Sequence, residues 1–235
     1  MIVTGAARGL GAAIARRLHA EGARVAMLDV SPAVADVADD LGAIHATVDL
    51  TDEIETRLVF ADIIAELGGV WLLVNNAGRF LNAPLLDTTL AEWDAIQAVN
   101  VRACLITTQL VAPHMIAAGG GRIVNQASMA AKSGTPGESA YAASKAALVA
   151  LSRIAAMEFG AHGITVNAVC PGYVLTDMGA DERRPEQIAA WASKSPLGRL
   201  ATTEDVAATV AHLGSDDAAY ITGQALNVTG GMCTW

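Results

Sequence analysis

The chain of 235 residues carries 15 Lys+Arg against 24 Asp+Glu, a formal net charge of −9 at pH 7, and only 17% of it is charged. That balance argues against nucleic acid, because neutralising phosphates takes clustered Lys and Arg, and against a disordered acidic tail. Hydrophobic residues make up 53% but aromatics only 4%, with 22 glycines, so small aliphatic side chains carry the core of a chain long enough to bury one.

Cys104, Cys170 and Cys233 are far apart and form no CxxC pair, so neither a zinc site nor a disulfide framework is expected, and a reducing, cytoplasmic setting follows. His19, His45, His114, His162 and His212 show no ligand spacing, so no metal is expected. No uninterrupted apolar run reaches the roughly 18 residues that span a bilayer, so no membrane association is expected. Met1 to Thr4 run into a glycine loop without the charged segment that opens a secretory leader.

Short β-rich runs alternate with longer helical patterns, as in parallel strands joined by right-handed helical crossovers. The expectation is an α/β fold: one Rossmann-like domain over 1–235, a doubly wound parallel sheet of about seven strands with helices on both faces. The first strand is Ile2 to Val3. Thr4-Gly5-Ala6-Ala7-Arg8-Gly9-Leu10-Gly11 follows it and opens the first helix, along which Leu10, Ile14 and Leu18 recur at helical spacing. Gly5 suits a tight turn, Gly9 a close backbone approach to a pyrophosphate, and Gly11 tight helix packing, while the helix N-terminus favours the phosphates.

The second strand, Arg24 to Leu28, ends at Asp29, where the adenosine ribose of a dinucleotide should lie. A carboxylate there accepts hydrogen bonds from the ribose hydroxyls of NAD. It opposes the 2′-phosphate of NADP by on the order of 4 kcal/mol per charge pair at about 4 Å and an effective dielectric of about 20. Arg8 works the other way, as a guanidinium able to pair with that phosphate. NAD is therefore expected, with NADP less favoured.

The third and fourth strands are Ile44 to Val48 and Val70 to Val74, and the fourth helix carries Leu90, Trp93, Ile96 and Cys104 on an apolar stripe. The fifth strand, Arg122 to Asn125, leads to Ser128, whose hydroxyl is placed to bond a substrate oxygen; a simple turn serine is the plainer alternative. A long helix from about Ser139 to Phe159 carries Leu148, Leu151 and Ile154 along one stripe. Near its start Tyr141 and Lys145 stand at i and i+4, on one face. A phenol titrates near pH 10 unperturbed, and a neighbouring cation brings it toward the range that acid-base catalysis requires. An ordinary exposed helix pair has the same spacing.

Ile164 to Val169 and Ala225 to Val228 complete the strands, most of them continuous apolar runs suited to burial on both faces. Between these two, residues 176–199 break the rhythm, with Asp181, Glu182, Arg183, Arg184, Pro185 and Pro196 around a short helical segment from Gln187 to Trp191. An insertion at the carboxyl ends of strands is more often functional than structural.

Taken together these residues resemble a classical short-chain dehydrogenase/reductase over essentially the whole chain. The matching motifs are TGAARGLG at 4–11, Asp49-Leu50, Asn75-Asn76-Ala77-Gly78, Asn100, Ser128, YAASK at 141–145, Pro171-Gly172, Thr176, Ile221-Thr222-Gly223-Gln224 and Gly230-Gly231. The resemblance implies that Tyr141 exchanges a proton with the substrate oxygen, that Lys145 lowers its pKa and binds the nicotinamide ribose, and that Ser128 holds the substrate oxygen. Asn100 would support a water linking the lysine to solvent, although a buried asparagine satisfied by backbone is the alternative. It also implies that Asp49 and Leu50 border the adenine, that Asn76, Ala77 and Gly78 support the cofactor's ribose side, and that Pro171, Gly172, Val174 and Thr176 meet the nicotinamide end. The segment from Met178 to Lys194 would be a substrate lid.

Three departures from that family stand out. The first strand is short or its start is trimmed, Gln126-Ala127-Ser128 replaces the common double serine, and Thr229 replaces a frequent Asp. Pocket candidates are Arg79, Phe80, Met129, Thr135, Tyr173, Met178 and Trp191, suited to a neutral secondary alcohol or ketone, with core or lid packing the alternative for about half of them. Arg79 is either a partner for a substrate carboxylate or a solvated arginine. The resemblance further implies a homotetramer joined through the helices of Asn100 and Tyr141 and through a C-terminal segment that includes Met232 and Trp235. The rival function is an NADPH-dependent 3-oxoacyl-carrier-protein reductase, which Asp29 and the net charge oppose. A non-catalytic protein on the same fold is opposed by the intact Ser128, Tyr141 and Lys145.

Overall fold

The computed structural model describes residues 1–176 and 184–235. Seven described strands form one sheet: β1 (Ile2–Thr4), β2 (Ala26–Asp29), β3 (Ile44–Thr47), β4 (Leu72–Asn75), β5 (Gly121–Gln126), β6 (Ile164–Pro171) and β7 (Ala225–Val228). Their order is β3-β2-β1-β4-β5-β6-β7 and every pairing is parallel. The order reverses direction between β1 and β4, and in open α/β sheets ligands bind beyond the carboxyl ends of strands at such a switch.

The helices are α1 (Gly9–Ala20), α2 (Val34–Asp39), α3 (Glu53–Leu67), α4 (Leu90–Gln97), α5 (Ala103–Ala118), α6 (Ser139–Phe159), α7 (Pro185–Ala192) and α8 (Thr203–Gly214). Alternating strand residues feed two cores. Val3, Met27, Val74, Val124 and Val169 pack with Ile14 and Leu18 of α1 and Val206 and Val210 of α8. Ile2, Leu28, Leu73, Ile123 and Val166 pack on the other face with Phe60 and Ile63 of α3, Val111 and Met115 of α5 and Ala155 of α6. Full burial of such a side chain stabilises by about 1.5–3 kcal/mol, which is why strands covered on both faces read as unbroken apolar runs. β1, β4, β5 and β6 follow that expectation, whereas β3 alternates in burial and β7 is half-buried throughout. The reason is position: β3 and β7 are the sheet edges.

Helix ends explain several boundaries. Asp52 caps α3 by accepting from the amides of Ile54 and Glu55, and Thr89 and Thr202 form reciprocal capping boxes with Glu92 and Asp205 at α4 and α8. Two helical stripes need correction. Leu90, the first residue of α4, is 81% exposed, and Ile154 is 52% exposed on the outer face of α6. The helical run Leu90–Ala118 is long and apolar enough by composition to cross a membrane, but half of that window is buried inside the fold, as in a core helix.

Candidate active site

A cavity of about 1160 Å³ opens at the carboxyl ends of the strands. It brings together most of the residues singled out from sequence: Gly5, Arg8, Gly9, Leu10 and Asp29 at one end, Asp49, Leu50, Asn76, Ala77 and Gly78 along it, and Ser128, Met129, Tyr141, Lys145, Pro171, Gly172, Tyr173, Val174 and Thr176 at the other. Gly11 and Asn100 lie behind its wall.

The glycine-loop end is held by close backbone packing. A Cβ on Gly5, where φ is +63°, would meet the Cα of Ala77 at 2.7 Å, and one on Gly11 would meet the Gly5 carbonyl oxygen at 2.0 Å. Only glycine fits these two positions. Asn76 donates its side-chain amide to the carbonyls of Thr4 and Gly5, at 3.0 Å each, and the Thr4 hydroxyl accepts from the amides of Asn76 and Ala77. Asn76 thus ties the β4 loop to the glycine loop. Unlike α3, α4 and α8, α1 has no side-chain cap, so its first amides face the cavity end with their dipole unopposed. The Asp29 carboxylate accepts from the amides of Ala7 and Ser31, at 2.9 Å each, which fixes its orientation beside Arg8 at the cavity edge. A positive φ at Gly9 and, among the described residues, no close neighbour except Thr176, at 3.8 Å from where a Cβ would stand, leave a bare backbone cradle suited to a phosphate. These residues fit a nicotinamide dinucleotide.

At the opposite end, the Ser128 hydroxyl accepts from the amide of Ala130, and it hydrogen-bonds the Tyr141 phenol. Lys145, fully buried, donates to the Gln126 carbonyl at 2.7 Å, and its ammonium lies 5.6 Å from the Tyr141 ring centre. Burial pushes the Lys145 pKa down to about 8, against the opposing pull of the Cys104 and Cys170 thiols. The Tyr141 phenol is shifted upward, which corrects the sequence expectation of a lowered value: burial is the largest cause, Glu138 and Cys170 add to it, and the Ser128 hydroxyl partly offsets it. Tyr141 and Lys145 stand on one face of α6, and desolvation is the largest influence on the phenol.

Asn100 falls in a π-helical turn, Ala98–Arg102, between α4 and α5, rather than in one unbroken helix. Such turns occur often at functional sites. The Asn100 side chain accepts from the Arg79 amide at 2.7 Å and donates to the Arg79 carbonyl at 3.0 Å and the Ser144 hydroxyl at 2.9 Å. It clamps the segment after Gly78 to α6.

The mouth is aromatic. Phe80 packs edge-on against Tyr141, with ring centres 5.0 Å apart, and Tyr173 stacks on Trp191 of α7 at 4.8 Å with a 6° interplanar angle. Of the pocket candidates, Arg79, Phe80, Met129, Thr135, Tyr173 and Trp191 line the cavity. Met178 and the acidic and basic run at 181–183 lie outside the described residues. Among the described residues no group of His, Cys, Asp and Glu could hold a metal ion.

Sequence reasoning missed the buried frame beneath the floor. Asn75 donates to Asn125 and accepts from Thr107, and Asn125 donates to Ser152, so one polar chain links α5, β4, β5 and α6. Ser144, within the YAASK motif, was equally unassigned although it receives Asn100. The only available signal was the presence of polar residues in otherwise apolar strands.

Comparison with known proteins agrees with this geometry. Residues 5–233 match the family model described as enoyl-(acyl carrier protein) reductase. A short-chain dehydrogenase/reductase from Armillaria gallica is 39% identical, covering 98% of this chain and 94% of its own. A 3-oxoacyl-(acyl-carrier-protein) reductase from Staphylococcus epidermidis is 37% identical, covering 98% and 97%. The crystal structure of a protein assigned as a gluconate dehydrogenase from Agrobacterium tumefaciens superposes with a TM-score of 0.94 at 32% identity, covering 98% of this chain and 94% of that one. With the switch-point cavity, the glycine loop and the tyrosine-lysine helix in one place, the chain belongs to the classical short-chain dehydrogenase/reductase family of oxidoreductases.

Proposed function

We propose that the protein is an NAD-dependent oxidoreductase that interconverts a secondary alcohol and the matching ketone. The observation that carries this reading is the meeting of Ser128, Tyr141 and Lys145 at one end of a cavity whose other end holds Asp29 and the glycine loop. Gly5, Gly9 and the α1 N-terminus hold the pyrophosphate, Asp29 the adenosine ribose, Asp49 and Leu50 the adenine, and Pro171, Gly172, Val174 and Thr176 the nicotinamide end. When bound, the nicotinamide supplies hydride chemistry.

The protein's own residues supply the proton and the orientation. Ser128 holds the substrate oxygen, and Tyr141 gives its proton to that oxygen in ketone reduction or takes it in alcohol oxidation. An upward-shifted phenol holds its proton at neutral pH, which is the form that the donating direction starts from. Lys145, charged below about pH 8, stabilises the phenolate left behind. Asn100 would support a water that links Lys145 to solvent.

The NAD assignment rests on Asp29: with each oxygen already fixed by an amide, the carboxylate cannot swing away from a 2′-phosphate without losing both bonds. The 3-oxoacyl-(acyl-carrier-protein) reductase relatives favour a second reading, an NADPH-dependent reductase of acyl thioesters, in which Arg8 takes the phosphate. Titration with NADH and NADPH, then turnover on diols, aryl alcohols, steroids and 3-oxoacyl thioesters, separates the two. The first reading expects NADH to bind at least tenfold more tightly; preference for NADPH with thioester turnover would overturn it. Outward apolar side chains at Leu105, Ile154 and Met157 support assembly as a homotetramer through α5 and α6, for which a monomer mass in sedimentation would be contradictory.

A further inference from the structure

We propose that Arg79 is a specificity residue that binds the carboxylate of an anionic substrate, so that the enzyme acts on hydroxy acids or oxo acids in preference to neutral alcohols and ketones. This rests on the oxidoreductase reading and narrows its substrate class.

Arg79 lines the cavity immediately after Gly78, and the next residue, Phe80, packs against the Tyr141 ring. Its main chain is fixed on both sides by the single Asn100 side chain, through the 2.7 Å and 3.0 Å bonds described above. The guanidinium itself is uncommitted: among the described residues it has no hydrogen bond and no ion pair, whereas Arg16, Arg17, Arg57, Arg122 and Arg199 each have a carboxylate. The described acidic groups in its surroundings, Glu92 and Glu138, are engaged elsewhere. Glu92 feels the Arg79 charge but spends its carboxylate on the Thr89 amide and hydroxyl, and Glu138 accepts from the Thr135 amide.

A fixed backbone carrying a planar, permanently charged fork on the cavity wall, one residue before the ring that packs on Tyr141, is an arrangement able to recognise a carboxylate through two parallel hydrogen bonds. The other charged groups of the cavity are placed differently. Arg8, Asp29 and Asp49 belong to the glycine-loop end, and Lys145 is buried in the floor, which leaves Arg79 and Glu138 as the charges facing a substrate from the described wall. Neutral substrates leave the fork without a partner. Acidic ones pair with it while their hydroxyl carbon reaches Ser128 and Tyr141.

The test is calorimetric and needs no turnover. NADH-loaded protein is titrated with lactate, 3-hydroxybutyrate and gluconate, and with the primary amide of each. The expected result is that at least one acid binds about 10- to 100-fold more tightly than its amide, that Arg79→Met abolishes this difference, and that Arg79→Lys restores part of it. Melting temperature and the NADH Kd of Arg79→Met should match the parent. Equal binding of acid and amide across the panel, a preference that survives in Arg79→Met, or a weakened NADH Kd, which would place the guanidinium on the cofactor's pyrophosphate, would each overturn the proposal. Failure of the unaltered protein to bind either NADH or NADPH would instead overturn the oxidoreductase reading.

Discussion

The two ends of the cavity are built by different means. At the glycine-loop end, backbone meets backbone: Gly5 against Ala77, Gly11 against the Gly5 carbonyl, Asn76 bonded to Thr4 and Gly5, and Asp29 bonded to Ala7 and Ser31. At the mouth, side chains meet side chains: Phe80 on Tyr141, Tyr173 on Trp191, with Lys194 over the Tyr173 ring. Backbone packing admits one arrangement and one ligand shape, whereas stacked side chains can be exchanged without disturbing the sheet. The fixed end therefore suits a cofactor shared by many enzymes, and the variable end suits the substrate that distinguishes them.

The sharpest way to break this contrast is to put bulk into the fixed end. Gly11→Val should cost about 4 kcal/mol or more, read as a large loss of denaturation midpoint or as failure to fold, because its side chain would have to occupy the Gly5 carbonyl. A wild-type-like midpoint would show that the loop yields.

At the end opposite the glycine loop lies Lys145, whose pKa falls from 10.5 to about 8 on burial. The unfolded chain then binds more protons than the folded one between these values, so stability rises with pH through that window and the full penalty is present below pH 8. Lys145→Met should be more stable than the parent at pH 7, by up to about 3 kcal/mol, and should lack the rise. Parallel stability-pH curves for the two proteins would contradict a buried, strained cation.

Asp29→Ser tests whether the fixed end also chooses the cofactor. It should weaken NADH binding by about 10- to 100-fold and strengthen NADPH binding, read by fluorescence titration, since the repulsive charge is gone and Arg8 remains. The smallest effect belongs to the mouth. Trp191→Ala should raise KM about three- to tenfold through loss of the stack with Tyr173 and leave the NADH Kd unchanged. A change in NADH affinity of similar size would erase the distinction between the two ends.

Much of the fixed end was legible before any coordinates. Continuous apolar runs located the strands within two residues at each end, because burial on both faces leaves few polar positions, and the spacing of Gly5 and Gly9 with Asp29 marked residues that the fold gathers at one end of the cavity. The long helix Ser139–Phe159 appeared with its observed bounds. What was not legible depends on distant packing. Nothing in the residues around Asn100 announces a π-helical turn, nor that its amide reaches Arg79 and Ser144. The upward shift of Tyr141 is a matter of how deeply the phenol is buried, which spacing to Lys145 cannot report. Ile154 follows a helical stripe and still faces outward, because α6 is broader in apolar residues than the face it presents to the sheet.

The claim that joins both ends is that Tyr141 moves the proton while the rest of the cavity binds. One preparation of Tyr141→Phe, titrated with NADH and then assayed on the best substrate of the parent, tests it most directly. The account predicts an unchanged NADH Kd and a loss of turnover of about 10³-fold or more. Turnover within tenfold of the parent, in a variant that still binds NADH, would contradict it.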